Sequence, residues 1–120
     1  MLAVNDPFEG WQPPTDQELR QIAREESEAA LEELAEAARQ QAVMIPDWQR
    51  YAGKLGVFAD EGEVYMGLQP GDEDEQAVFD LEYGTPKQGP TGLLRNSLTS
   101  HGPRIGRHLS HRVTQRIVGI

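Results

Sequence analysis

His108 and His111, three residues apart, are a pair whose type and spacing could do chemistry. On a helix they share a face, as two ligands of one metal ion do. No carboxylate lies near them in sequence, and the chain has no cysteine, so the ligand set stays incomplete and no metal is expected. Ser97, Thr99, Ser100 and His101 place hydroxyls beside an imidazole. A nucleophile and its base are defined by geometry, however, and adjacency alone does not make them. The glycines are scattered among turns and form no phosphate-binding loop. With 20 carboxylates some pair falls close by chance, so closeness does not argue for acid–base work. The chain reads as a protein without an active site and without a cofactor.

The stronger signal is where the charges lie. The net charge is −9, but Glu82 is the last acidic residue of the 120. Residues 1–82 carry all 20 carboxylates against Arg20, Arg24, Arg39, Arg50 and Lys54; residues 83–120 carry only Lys87, Arg95, Arg104, Arg107, Arg112 and Arg116. Asymmetry of this kind concerns association more than fold. Two arrangements use it. The two ends lie against each other within one molecule, or they meet between subunits, head to tail. The basic end could also contact phosphate. It lacks the interleaved aromatics that stack on single strands, and the acidic body opposes DNA. An assembly module is the preferred class.

The elements that must position these groups follow from local pattern. The length suits one domain with a modest core. No apolar run reaches membrane-span length, and the first residues carry no leader-like basic and apolar regions, so a soluble, unexported protein is expected. Residues 1–14 read as an arm bearing Phe8 and Trp11, with Pro7, Pro13 and Pro14 opposing helix. Thr15-Asp16-Gln17-Glu18 is a capping box that opens a helix reaching about Ala42, before Pro46. Its apolar face is Leu19, Ala23, Ser27, Ala30, Leu34, Ala37 and Ala38. Glu25, Glu28, Glu32 and Glu36 form an acidic stripe on another face. That stripe is a solvated face, a surface for a basic partner, or the lining of a channel through which DNA slides without sticking. Residues 55–68 read as a β-hairpin with a three-residue loop at Asp60-Glu61-Gly62 and a bulge. Gln69-Pro70-Gly71-Asp72 has the residues of a type II turn. A short helix then runs from an Asp72 cap to Tyr83 and stops at Gly84 in a left-handed conformation, with a strand over the same residues as the competing reading. A further helix opens at Pro90 or Thr91 and ends near Gly102-Pro103. Beyond it, residues 103–120 form a basic arm in which Ile105, Leu109, Val113 and Ile117 make an apolar stripe flanked by arginines. The expected class is therefore α+β: a long N-terminal helix on a small antiparallel sheet, with C-terminal helices, in a core of residues 15–102.

The stretch LEYGTPKQGPTGLLRNSL, Leu81 to Leu98, resembles a signature of the neck and tail-completion proteins of long-tailed bacteriophages, including the minor tail protein Z-like group. The matching residues are Leu81, Glu82, Tyr83, Gly84, Thr85, Pro90, Leu93, Leu94 and Arg95. Leu93 stands where such proteins often carry Phe, and the Arg-flanked C-terminal extension goes beyond the pattern. The resemblance implies a small α+β virion protein that forms a ring, with a hexamer favoured, at the head–tail junction. Its implied partners are its own copies, the head connector or stopper, and tail-terminator or tail-tube proteins. DNA passes through without specific binding, no membrane is involved, and assembly takes place in the host cytoplasm. In that setting Arg104, Arg107, Arg112 and Arg116, with Ile105, Leu109, Val113 and Ile117, are the expected inter-subunit contacts, and Glu25, Glu28, Glu32 and Glu36 the expected channel lining. The alternative is a small regulatory or antitoxin-like protein whose basic C-terminal segment binds nucleic acid.

Overall fold

A computed structural model describes residues 12–119, so Phe8 and Trp11 of the expected arm lie outside the described residues. Thr15 starts the first helix, α1 (Asp16–Ala42): its hydroxyl accepts the Glu18 amide at 3.1 Å. The reciprocal bond from the Thr15 amide to the Glu18 carboxylate is absent among the described residues, so half of the capping box forms. Val43 closes α1 through its amide to the Arg39 carbonyl, and Pro46 lies just beyond.

A short 3-10 helix, Gln49–Lys54, leads into β1 (Gly56–Asp60), which pairs antiparallel with β2 (Glu63–Gly67). Asp60 pairs directly with Glu63, leaving only Glu61 and Gly62 in the loop, at φ 50° and 82°. Two positive φ values in a two-residue loop mark a type I′ turn, whose twist matches the strands; the expected third loop residue and bulge are not used. The turn at Gln69–Asp72 is as read: the Asp72 amide donates to the Gln69 carbonyl at 3.0 Å, and Gly71 has φ 78°.

Asp72 does not cap the next helix. α2 runs Glu75–Tyr83 with Asp74 at the N-cap, and Asp72 instead accepts the Asp74 amide at 2.8 Å. Lys54 Nζ clamps both, 2.6 Å from Asp74 and 3.1 Å from Asp72. The clamp ties the 3-10 helix to the turn before α2. The Asp74 amide first and Lys54 second hold the Asp72 carboxyl below its ordinary range, and the aspartates raise Lys54. Asp72 is depressed in the folded state, so its contribution is present above the unfolded value near 3.9 and is lost as pH falls through the folded one. Lys54 is raised, so its contribution is whole below its unfolded value and fades only in strong alkali. Urea midpoints measured between pH 5 and 2 should therefore fall less steeply in Asp72→Asn than in the parent chain. Parallel curves would show that Asp72 carries no linkage.

α3 runs unbroken from Leu93 to Val118, with Pro103 inside it. The helix expected to end at Gly102-Pro103 continues, and the expected boundary between core and basic arm falls within it. Proline removes one amide and costs about 3 kcal/mol in a helix interior. The side chains beyond it supply the offset: Ile105 is buried against Ala30 and Leu34 of α1, with Leu109 and Met66 packed around them. α1 and α3 lie antiparallel, since Gln41 meets Ser97 while Glu25 meets Arg116.

The second and larger core sits at the base, where Trp48, Tyr51, Ala52, Leu55, Leu68 and Val78 pack with Ala38, Ala42 and Leu93. The arrangement is α+β, as expected. The apolar face of α1 begins later than its periodicity implies. Ala30, Leu34 and Ala38 are buried, with Ala35 and Ala42 added, whereas Leu19, Ala23 and Ser27 are exposed and Ala37 is half-buried. Among the described residues, little packs over the first turns of α1.

Candidate functional site

The last turn of α2 carries a carboxylate almost sealed from water. Glu82 is 2% exposed. One oxygen accepts the Leu94 amide at 2.7 Å; the other accepts the Arg95 amide at 3.3 Å and Arg95 Nε at 2.9 Å. Arg95 Nη2 also donates to the Glu82 carbonyl at 2.6 Å. Gly92 is the N-cap of α3 and has no side chain to offer. Glu82, ten residues before that cap position, fills the role, and its negative charge faces the positive end of the α3 dipole.

The loop between the two helices is shaped to deliver this cap. Gly84 sits at φ 84°, ψ 171°, positive in φ as expected but extended in ψ. That region is open essentially to glycine alone. Thr85 closes a tight turn by accepting the Lys87 and Gln88 amides on its hydroxyl, while its own amide donates to the Gln88 carbonyl. The Thr91 amide and hydroxyl both donate to the Leu81 carbonyl, and Trp48 Nε1 donates to that hydroxyl at 3.1 Å. Leu93 is buried in the base core and Leu94 packs at its edge. The signature residues Leu81, Glu82, Gly84, Thr85, Leu93, Leu94 and Arg95 thus come together in a single junction, with Pro90 against Gly84. Tyr83 is the exception. It is 55% exposed and packs against Phe79 with the rings tilted at 46° and 4.7 Å between centres, with the Arg95 guanidinium 5.1 Å from its ring centre.

The charged ends meet within the molecule. Arg112 reaches Glu26 at 2.9 Å and Glu33 at 3.1 Å, and Arg116 reaches Glu25 at 2.7 Å and Glu26 at 3.4 Å. Arg116 holds the Glu25 carboxyl below its ordinary range. Arg112 Nη2 is buried with no acceptor, so this pairing carries a desolvation cost. Of the four arginines expected to serve a neighbour, Arg112 and Arg116 are therefore engaged inside the chain, and Ile105 and Leu109 are spent on α1. Val113 and Ile117 are half-buried. Arg104 and Arg107 are exposed and make no ion pair among the described residues.

The acidic stripe of α1 is likewise largely occupied. Glu25 meets Arg116, Glu28 meets Arg24 at 3.2 Å, and Glu36 meets Arg39 at 2.7 Å. Glu32 alone of the four has no ion-pair partner among the described residues.

The residues first considered for chemistry have other uses. Ser97 is fully buried and donates to Gln41 at 2.9 Å, tying α3 to α1. Thr99 donates to the Arg95 carbonyl. His108 and His111 are exposed, and no group of three or more metal-competent side chains gathers among the described residues. No helix among these residues is long and apolar enough to cross a membrane. The residue that sequence reasoning passed over is Trp48, the largest fully buried side chain and the donor that holds Thr91 in the junction. Its signal was available: Trp48, Tyr51, Ala52 and Leu55 recur at helical spacing.

No family model, curated protein or solved structure matches this chain.

Proposed function

We propose that this protein is a structural component of the bacteriophage head–tail junction, a neck or tail-completion subunit that closes into a ring around the passage for DNA. The observation that carries the reading is the Leu81–Leu98 stretch, whose signature residues, Tyr83 apart, are used together in one place rather than scattered. Glu82, Gly84 and Arg95 build a fixed corner between α2 and α3, which suits a part whose task is to hold shape while other rings dock on it. The exposed Phe79–Tyr83 pair beside that corner supports a contact with a neighbouring protein. Arg104 and Arg107 remain for a neighbour's acidic surface, and the outer face of α1, with Glu32 as its uncompensated member, turns toward the passage. A hexamer is the favoured closed form. The virion is its destination, with the head connector or stopper on one side and the tail terminator or tube on the other.

Removal of the gene from its parent genome tests this. The expected result is filled heads and finished tails that stay apart, joined again when the protein is supplied. Normal joined particles in its absence would overturn the reading. Arg104 and Arg107, exposed and without an ion pair among the described residues, also favour a second reading, a small regulatory protein that binds nucleic acid. Salt-dependent retention of the purified chain on duplex DNA would select it.

A further inference from the structure

α3 presents two kinds of basic residue. Arg112 and Arg116 lie on the side that carries Ile105 and Leu109, and they face α1. Arg104, Arg107, His108 and His111 recur at helical spacing on a different side, and all four are exposed. No carboxylate lies within ion-pair distance of Arg104 or Arg107 among the described residues, although the chain is acidic overall.

The acidic side has a matching surplus. Most carboxylates near α3 are already engaged by arginines, and Asp72 and Asp74 are held by Lys54. Asp16 and Glu18, and likewise Glu75, sit in first turns of helices, where the helix dipole favours negative charge. The hairpin tip has neither kind of compensation; Glu32, Asp47 and Glu73 are also exposed without an ion pair among the described residues, but each stands singly. Asp60, Glu61 and Glu63 crowd around the two-residue turn, all exposed, with no cation bound among the described residues. Three like charges within four residues on a projecting turn leave a concentrated negative point.

We propose that Arg104 and Arg107 of one copy dock on the hairpin tip, Asp60, Glu61 and Glu63, of a second copy. Charge complementarity carries the proposal. Arg104 shares an open groove with Glu32, Glu33 and Glu36 of α1 but forms no ion pair with them. Among the described residues, Arg107 and the hairpin tip have no opposite charge within ion-pair distance, and no ion pair joins α3 to the hairpin. The two patches are different surfaces, so the contact is heterologous, and repeating it yields a ring when the rotation closes. The inference rests on the ring reading above and names the surfaces that ring would use.

The test is a charge exchange on the full chain, read by native mass spectrometry and sedimentation velocity at low and high salt. The parent chain should assemble at low salt and weaken as salt screens the contact. Arg104→Glu with Arg107→Glu should raise the concentration needed for assembly by roughly tenfold or more, as should Asp60→Lys with Glu63→Lys. Combining the two sets should restore assembly toward the parent, with unchanged thermal unfolding showing that each variant folds. A salt-insensitive ring that neither set disturbs, or a combined variant no better than the single sets, overturns this pairing and leaves the junction reading standing. A chain that stays monomeric at low salt also overturns it. So does duplex DNA binding that the Arg104 and Arg107 changes abolish, since the stripe then serves nucleic acid. Heads and tails that join without the protein overturn the junction reading alone.

Discussion

Gly84→Ala is expected to destabilise the protein by about 3–5 kcal/mol, the larger of two effects at the junction between α2 and α3. Two causes add. The backbone at φ 84°, ψ 171° lies where a side chain is strained by roughly 1–3 kcal/mol even in open space. Space is not open here. A Cβ on residue 84 would stand 2.9 Å from the Pro90 nitrogen and 3.0 Å from the Gln88 carbonyl oxygen. Both are backbone atoms of the returning loop and cannot swing aside as a side-chain tip does. Gly62 is a useful comparison. It also has positive φ, at 82°, but an added Cβ there meets nothing within 4 Å. Gly62→Ala should cost no more than about 1–2 kcal/mol, the strain alone. Urea unfolding of the two variants separates the causes. Equal losses would mean that the loop relaxes around residue 84 and that the close approach of Pro90 is not a constraint.

The parts of this molecule legible in its sequence are those written by near neighbours. Thr15, Pro46 and the Gln69–Asp72 turn act over a few residues, and each did what its local chemistry dictates. Gly84 announced a positive φ, though not the ψ that the returning loop imposes. The hairpin was recognisable, but its loop length was not, because Asp60 can serve either as the last strand residue or as the first of a longer loop. Register with Glu63 decides that, and register is a tertiary quantity.

Misreadings arose where a distant contact outweighed a local rule. Pro103 is a strong local stop, yet burial of Ile105 against Ala30 and Leu34 lies on its far side and carries the helix through. Asp72 is a good cap by type, but Lys54, eighteen residues earlier, draws it into a clamp and leaves Asp74 at the cap position. The charge partition at Glu82 was plain in the sequence. Whether the acidic and basic ends meet inside one molecule or between two was not, since charge carries no address. The structure divides the arginines: those on the apolar side of α3 pair with α1, and those on another side do not.

Glu82→Ala is the second large effect, about 2–4 kcal/mol. The substitution leaves the Leu94 and Arg95 amides at the start of α3 without acceptors, in a place where Gly92 offers no side chain and water has little access. Loss of a cap alone costs about 1 kcal/mol, and unsatisfied buried donors add roughly 1–3 kcal/mol. Arg95 is a lesser partner because its side chain is 53% exposed, so it regains water when the carboxylate goes. Arg95→Ala leaves the Glu82 carboxylate buried and short of one donor, though still held by the residue 94 and 95 amides, so it should cost about 1–2 kcal/mol, more than an exposed ion pair and less than Glu82→Ala. Glu82→Gln keeps an acceptor for the Leu94 amide and loses the charge facing the helix dipole, so it should fall between them. The order Glu82→Ala, then Glu82→Gln, then Arg95→Ala, in falling cost, distinguishes a cap from a salt bridge. If Arg95→Ala instead matches Glu82→Ala in chemical denaturation, the ion pair is the principal contact and the cap a by-product. The cap reading carries a second consequence. Amide hydrogen exchange in Glu82→Ala should speed up first at residues 94–97, the opening turn of α3, while α1 amides away from the junction keep their protection. Uniform loss of protection through both helices would mean that the corner folds and unfolds only with the whole chain.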